Sequence, residues 1–243
     1  MSLILAAHGT RRPGGVAMIG DLAARVGALL GQTVQVSFVD VWGPTPSEVL
    51  AASTDRRAIV VPAFLSRGYH VRTDLPAHVA ASGHRNVVVT PALGPGGQVV
   101  RIVADQLAQI CRRPGDSVIL GAAGTSDAHA REDLHTTATL LSALTGSPVS
   151  LAFAAVGDPH IDQAVEKARD AGARRVVVAS YLLSDGLFQE RLHASGADLV
   201  SRPLGSHPWM ARVIADRFCR AVPSALRHRH RRPGAPTLAM LDL

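Results

Sequence analysis

Apolar residues occur along the chain in short runs that alternate with segments of helical period. The short runs are rich in Val, Ile and Leu and are bounded by Gly, Pro or polar residues, which is typical of strands buried on both faces. In the first half they predict strands near residues 3–7, 34–39, 58–62 and 87–90. The amphipathic segments predict helices at about residues 16–30, 45–53, 73–82 and 97–112. Strands that alternate with helices indicate βαβ units and a parallel sheet.

The second half of the chain repeats the first after a break at residues 112–115. The matching pairs of segments are 3–10 with 118–125, 36–46 with 149–159, 60–65 with 177–182, and 93–94 with 204–205. We therefore expect two α/β domains of similar topology, each a small parallel sheet flanked by helices, related by pseudo-two-fold symmetry around a cleft. The predicted divisions are 1–114, 115–222 and a basic tail at 223–243.

The repeat duplicates the predicted structure without duplicating the histidines. His8 corresponds to Ala123, and His70 corresponds to about Phe188 when one inserted residue is allowed. Because the same strand and the same Gly-Thr turn occur around Ala123, folding does not require an imidazole at this position. The pattern favours a chemical role for His8 and His70 together, in the first half only.

Length and composition bound the class of protein. With 243 residues and 47% hydrophobic content, the chain can bury one large core or two small ones. It shows no signal-peptide pattern and no uncharged apolar stretch near the roughly 20 residues that span a bilayer, so we expect a soluble, cytoplasmic protein. Cys111 and Cys219 lack C-x-x-C spacing and favour a reduced, structural role.

The net charge of +6 is carried almost entirely by arginine, because Lys167 is the only lysine among 25 basic side chains. Aromatic residues make up 4% of the chain, which argues against a stacking platform for single-stranded nucleic acid. Arginine forks suit carboxylates equally well. We therefore expect an anionic small molecule as partner, with neither nucleic acid nor membrane.

Three side chains that carry chemistry are expected at one edge of the first sheet. His8, Asp40 and His70 follow the first, second and third strands, and ligands of open α/β sheets bind beyond the carboxyl ends of the strands. Two imidazoles and a carboxylate suit a divalent first-row metal that is bound with open positions. Alternatively, one histidine accepts protons while the other holds the metal, and Asp40 orients a ring.

Two segments that contain these histidines resemble the motifs of a known family. They are Leu-Ala-Ala-His-Gly-Thr-Arg at residues 5–11 and Val-Pro-Ala-Phe-Leu-Ser-Arg-Gly-Tyr-His-Val-Arg-Thr-Asp-Leu-Pro at residues 61–76. With their spacing they resemble the sirohydrochlorin chelatases, over about residues 3–220 and in the long, two-repeat form. These class II chelatases insert ferrous iron or cobalt into a reduced tetrapyrrole in sirohaem or cobalamin synthesis.

The resemblance implies a role for each of the three side chains. His8 and His70 would face the metal across the macrocycle cleft and act as catalytic residues and metal ligands, and Asp40 would assist at a position where the family more often has glutamate. The metal, Fe²⁺ or Co²⁺, would be a substrate, and no permanently bound cofactor is expected. Insertion displaces two pyrrole protons, and imidazole can accept protons near neutral pH.

The resemblance implies a flat, carboxylate-rich substrate. Such a substrate needs cationic side chains for its carboxylates and residues that can pack against its flat ring. Four arginines flank the histidines in sequence and are candidate carboxylate clamps. Glycine lets backbone approach a flat ligand, and tyrosine can pack against it. The predicted substrate-binding residues are Thr10, Arg11, Arg12, Ser66, Arg67, Gly68, Tyr69 and Arg72.

The predicted activity is sirohydrochlorin ferrochelatase, a lyase of sirohaem and porphyrin biosynthesis, and two alternatives stay open. One is a cobaltochelatase of cobalamin synthesis, because histidine and carboxylate accept either metal. The other is a non-enzymatic metal or tetrapyrrole carrier with the same cleft. A histidine phosphatase is disfavoured because Ala7 stands where that chemistry needs arginine. A monomer is sufficient, since the two repeats already form the cleft, and a dimer stays open.

Overall fold

The structure, a computed structural model, describes residues 1–41, 43–55 and 57–223. The predicted basic tail at 223–243 lies outside the described residues except for Pro223. Within the described part the chain forms strands that alternate with helices throughout, as the sequence predicts.

In its described residues the first half contains four strands and four α-helices at the predicted places. The strands are β1 (Ser2–Ala7), β2 (Val34–Phe38), β3 (Ala58–Pro62) and β4 (Val87–Val89), and the helices are α1 (Pro13–Leu30), α2 (Pro46–Ala51), α3 (Leu75–Ala81) and α4 (Gly97–Gln109). The strands form one parallel sheet in the order β2-β1-β3-β4. In this register Leu5 of β1 lies between Val36 and Val61, so the strand that leads to His8 is central and fully buried.

The second half repeats this topology. Its strands are β5 (Ser117–Ala122), β6 (Val149–Phe153), β7 (Val176–Tyr181) and β8 (Leu199–Val200), and its helices are α5 (Ala128–Thr145), α6 (Ile161–Asp170), α7 (Leu187–His193) and α8 (Pro208–Ala221). They form a second parallel sheet in the order β6-β5-β7-β8. The predicted fold class, an α/β protein with two similar parallel sheets flanked by helices, is confirmed.

The last helix of each half packs on the other half. Helix α4 contacts β7 and α5 of the second half, whereas α8 contacts α1 and β3 of the first. One hydrophobic core therefore runs through both halves and includes Leu5, Val103, Leu120 and Ile214. Two smaller clusters cover the outer faces of the two sheets. The interleaved packing fixes the carboxyl ends of the two sheets relative to each other.

Helix α1 has the length and apolar composition of a membrane span, and it is the one such helix in the described part of the chain. In the structure it packs against α8, and it buries Ile19, Leu22, Ala23 and Val26 in the shared core. The buried residues lie on one face of the helix and the exposed residues on the opposite face, as expected of a helix that packs on a core.

The Gly-Thr turn that follows the first strand of each half is fixed by a close backbone approach. Gly9 and Gly124 have φ of +95° and +110°, a conformation that favours glycine. A Cβ at Gly9 would lie 2.0 Å from the carbonyl oxygen of Val41, and one at Gly124 would lie 2.1 Å from that of Val156. The repeated glycine is thus a requirement of the fold, whereas the preceding position holds histidine in one half and alanine in the other.

Candidate active site

The structure brings His8, Asp40 and His70 together at the carboxyl edge of the first sheet. The ring centroids of His8 and His70 lie 4.4 Å apart with an angle of 79° between the ring planes, an edge-to-face arrangement. Asp40 Oδ2 lies 4.0 Å from His8 Nε2. The amide of Asp40 donates to the carbonyl oxygen of His8, which ties the loops after β1 and β2 to each other.

His70 opens a wide helical turn, His70–Asp74, that precedes α3 and is of π type. The sequence predicted a helix from about residue 73, so the helical backbone starts earlier than expected. Pro76 explains the wide turn, because proline has no N–H to donate and its ring would clash with the carbonyl group of residue 72 in a regular α-helix. Leu75 N–H instead donates to the carbonyl oxygen of His70. Such turns are frequent at functional sites.

Asp74 is a member of the site that sequence reasoning missed. Its Oδ2 lies 2.5 Å from His70 Nδ1. The two side chains are mostly buried, with 31% of His70 and 26% of Asp74 exposed. The i,i+4 spacing of His70 and Asp74 places them on one helical face, and this spacing was the signal present in the sequence. A carboxylate on the distal nitrogen of a histidine fixes the orientation and tautomer of the ring.

Among the described residues, the hydrogen bonds of the two histidines leave the same ring nitrogen, Nε2, without a partner on each. His70 Nδ1 faces the carboxylate of Asp74, and His8 Nδ1 lies 3.2 Å from the carbonyl oxygen of Gly9. Because both of these oxygens accept, each Nδ1 carries the proton in the neutral ring, and each Nε2 presents a lone pair. Two Nε2 lone pairs at one edge of the sheet can bind a metal ion or accept protons.

The site is open to solvent on one side and bordered by aromatic rings. The His8 side chain is 47% exposed and that of His70 is 31% exposed. Phe64 stacks on His70 with ring centroids 6.1 Å apart, and Tyr69 contacts it edge-on at the same distance. Tyr69 is itself mostly exposed, so its ring is available to a flat ligand. In the described part of the chain no group of three or more His, Cys, Asp or Glu side chains is arranged to hold a metal, so the candidate metal donors are the two imidazoles.

Three of the four predicted carboxylate clamps are paired with acidic residues of the second half. Arg12 Nη2 donates to Glu190 Oε2 over 3.0 Å, and Arg72 Nη1 lies 3.7 Å from Asp127 Oδ2. Arg67 donates from Nε and Nη2 to the buried carboxylate of Asp133. The hydrogen bonds and charge of Asp133 raise the pKa of the Arg67 guanidinium.

Arg11 differs from these three arginines. It is exposed, and within residues 1–41, 43–55 and 57–223 none of the ion pairs includes it. The other predicted substrate residues lie on the same two loops. Thr10 Oγ1 accepts a hydrogen bond from the amide of Arg12, Ser66 is partly buried, and Gly68 lies against Ala130 of α5. The predicted residues are therefore gathered around the histidines, and their roles stay predictions.

Similarity to known proteins was found for both halves of the chain. The CbiX family model matches residues 2–110 and again residues 117–221. The sirohydrochlorin cobaltochelatase of Priestia megaterium is 24% identical over 245 residues, which cover 89% of this chain and 78% of that protein. The sirohydrochlorin cobaltochelatase of Methanothermobacter thermautotrophicus is 27% identical over 130 residues, which cover 44% of this chain and 90% of that protein.

Solved structures of similar fold cover nearly the whole chain. SirB from Bacillus subtilis with Fe³⁺ superposes with a TM-score of 0.77 at 20% identity, over 90% of this chain and 94% of SirB. CbiX, described as the terminal enzyme for siroheme biosynthesis in denitrifying bacteria, superposes with a TM-score of 0.72 at 20% identity, over 92% of this chain and all of CbiX. These likenesses establish the two-sheet arrangement.

Proposed function

The chain belongs to the CbiX family of class II tetrapyrrole chelatases and is a metal chelatase, and we propose that it inserts Fe²⁺ into sirohydrochlorin to give sirohaem. The observation that carries the proposal is the edge-to-face pair of His8 and His70, whose rings lie 4.4 Å apart at the carboxyl edge of the first sheet. We place this activity in the cytoplasm. We also propose that a single copy of the chain carries it out, because both halves of the cleft come from one polypeptide.

Metal insertion requires two functions, metal binding and proton acceptance, and this pair of histidines can supply both. The incoming ion must exchange water and protein ligands for the four nitrogens of the macrocycle, and two pyrrole N–H protons must leave. Nε2 of one histidine holds the ion at the edge of the sheet, while Nε2 of the other accepts the two macrocycle protons one after the other and passes each to solvent at the exposed side of the site. Each imidazole is fixed through Nδ1, so neither ring must reorient during the reaction.

Asp40 and Asp74 assist different histidines in this scheme. Asp40 lies 4.0 Å from His8 Nε2, on the side of the ring that carries the lone pair, so it contributes by attracting the protonated ring or the incoming cation. Asp74 contacts Nδ1 of His70 and thereby keeps the lone pair on Nε2. The two carboxylates also favour a positively charged ion between the rings.

The carboxylate groups of the substrate meet the arginines around the histidines. Arg11 is the strongest candidate, since its charge is not already matched by an acidic residue in the described part of the chain. Arg12 and Arg72 can exchange Glu190 and Asp127 for substrate carboxylates, because both pairs are at least partly exposed and such pairs are weak in water. Thr10, Ser66, Gly68 and Tyr69 then line the approach of the macrocycle.

Insertion of Co²⁺ is the second candidate function, and the names of the curated relatives favour it. The matching proteins from Priestia megaterium and Methanothermobacter thermautotrophicus are both called sirohydrochlorin cobaltochelatases. Imidazole and carboxylate bind Co²⁺ more tightly than Fe²⁺, so the donor set does not select iron. We propose iron because sirohaem is the more widespread of the two products.

The test is anaerobic incubation of the purified protein with sirohydrochlorin and either Fe²⁺ or Co²⁺, followed by absorbance. We expect formation of the metallated product at a rate proportional to protein concentration, with a higher kcat/KM for Fe²⁺. A higher value for Co²⁺ would assign the chain to cobalamin synthesis. Tight binding of sirohydrochlorin without faster insertion would instead identify a tetrapyrrole carrier.

A further inference from the structure

The geometry points to a positioning role for the second half, which lacks counterparts of His8 and His70: Asp133 and Tyr181 hold the loop that carries His70. This inference rests on the proposed function for its catalytic consequence and on the hydrogen bonds between the halves for its structural part. The loop, residues 63–69, joins β3 to the wide turn that opens at His70. Nothing in the repeated sequence motifs marks either second-half residue as part of the site.

Asp133 binds the loop through both its backbone and its side chain. Its Oδ2 accepts a hydrogen bond of 2.7 Å from the amide of Arg67, and its carboxylate also accepts from Arg67 Nε and Nη2. The Asp133 side chain is 1% exposed and that of Arg67 is 57% exposed, so the acceptor end of these bonds is shielded from water. A buried carboxylate that loses its partners is costly, which makes the bound position of the loop strongly preferred.

Tyr181 adds a second attachment two residues earlier in the loop. Its hydroxyl donates to the carbonyl oxygen of Leu65 over 3.0 Å, and it accepts from Thr137 Oγ1 over 3.4 Å. Thr137 Oγ1 also lies 2.9 Å from the carbonyl oxygen of Asp133, one turn earlier on α5. Tyr181 and Asp133 therefore belong to one buried polar network that contacts the loop at Leu65 and Arg67.

The attachment lies close enough to His70 to control its position. Two residues separate Arg67 from His70, and one of them, Gly68, lies against Ala130 of α5. The first half fixes His70 from the other side through Asp74. Because a displacement of about 1 Å in a reacting group can lower a rate by about 100-fold, a loop held at two points matters for catalysis. This gives the second half a function although it lacks counterparts of the two site histidines.

The experiment compares Asp133→Asn with the wild-type full chain. Asparagine keeps an oxygen for the amide of Arg67 but loses the charge and the paired acceptance from the guanidinium. We expect amide exchange in residues 63–69 to become faster and kcat for metal insertion to fall about tenfold, with KM for sirohydrochlorin within about twofold of wild type. Tyr181→Phe removes the second attachment alone and is expected to change the same quantities in the same direction, by less.

Asp116→Asn is the matched control. Asp116 is also a nearly buried aspartate of the second half that accepts from a backbone amide, that of Arg113, and lies near an arginine, 3.9 Å from Arg175 Nε. It directly precedes β5 and so lies at the amino edge of the sheet, opposite the site. We expect it to lower Tm without changing kcat or the exchange of residues 63–69.

The outcomes separate the positioning role from other roles. Unchanged kcat and unchanged exchange in folded Asp133→Asn would overturn the inference. A change in KM alone would also overturn it, because Asp133 would then orient Arg67 for substrate binding and would not position His70. If Asp133→Asn does not fold, Tyr181→Phe tests the inference instead, through amide exchange in residues 63–69 and kcat for metal insertion. If the wild-type protein inserts no metal, the proposed function fails, while amide exchange and Co²⁺ binding by the two histidines still decide whether the second half holds the loop.

Discussion

His8 and His70 are 62 positions apart in the chain, and their rings meet edge to face with centroids 4.4 Å apart. Strands β1 and β3 are neighbours in the parallel sheet, so the residues that follow them emerge side by side at its carboxyl edge. Each ring is held through Nδ1 and presents Nε2. One half of the duplicated fold is therefore sufficient to form the histidine pair.

Removal of either imidazole is expected to abolish most of the activity. His8→Ala and His70→Ala each delete a metal donor or proton acceptor, so kcat/KM for metal insertion should fall by about 10²- to 10⁴-fold. The measurement is the anaerobic absorbance assay with sirohydrochlorin. His84→Ala serves as control, because His84 bonds the carbonyl oxygen of Asp55 at the amino edge of the sheet. Full activity in both site variants would disprove the assignment of the site.

The sequence predicted the fold and the core of the site for a simple physical reason. Apolar runs and helical periods identify βαβ units, and parallel strands bring the residues at their carboxyl ends to one edge. His8, Asp40 and His70 could therefore be grouped without any contact information. The internal repeat added the comparison with Ala123, which separates what the strand needs from what the chemistry needs.

The partners that come from the other half could not be predicted in this way. Helical periodicity shows which face of α4 or α8 is buried, but it does not show which sheet covers that face. The arginines were recognised as cations near the histidines, whereas their acidic partners lie far along the chain, 178 residues away for Arg12 and Glu190. Only the fold reveals that the second half neutralises and holds these side chains.

Asp74 is expected to act on the reaction through His70. Asp74→Asn places an amide against Nδ1 and removes the charge that fixes the tautomer, so metal affinity or activity should fall by about 10- to 100-fold. The check is a Co²⁺ titration followed by visible absorbance, together with kcat for insertion. Asp216→Asn removes the acid of another i,i+4 pair, with Arg220 on α8, and should leave both quantities unchanged. Wild-type behaviour of Asp74→Asn would show that Asp74 does not orient His70.

Arg11 is expected to contribute to substrate binding more than to the chemical step. Arg11→Ala removes an exposed charge beside His8, and we expect KM for sirohydrochlorin to rise about tenfold, as the loss of one charge-assisted hydrogen bond predicts, with kcat nearly unchanged. The measurement is steady-state kinetics at low and high salt, where the difference from wild type should shrink at high salt. Arg85→Ala, at the amino edge of the sheet, is the control, and an equal effect there would indicate general charge attraction instead.

Gly9 and His8 are adjacent, and we expect opposite effects from replacing them. Gly9→Ala would place a Cβ 2.0 Å from the carbonyl oxygen of Val41 at a φ of +95°, so it should destabilise the protein by about 2 kcal/mol or more. Gly14→Ala is the matched control, because a Cβ there meets nothing within 4 Å and the residue is helical.

His8→Ala reproduces the sequence that the second half already has at Ala123, before Gly124. We therefore expect its free energy of unfolding, measured by urea denaturation, to stay within about 0.5 kcal/mol of wild type while its activity is lost. Gly124→Ala should lower stability as Gly9→Ala does, because its Cβ would lie 2.1 Å from the carbonyl oxygen of Val156, and its folded fraction should retain kcat. A large loss of stability in His8→Ala would mean that the imidazole serves the fold, and the comparison between the two halves would then no longer support a catalytic role.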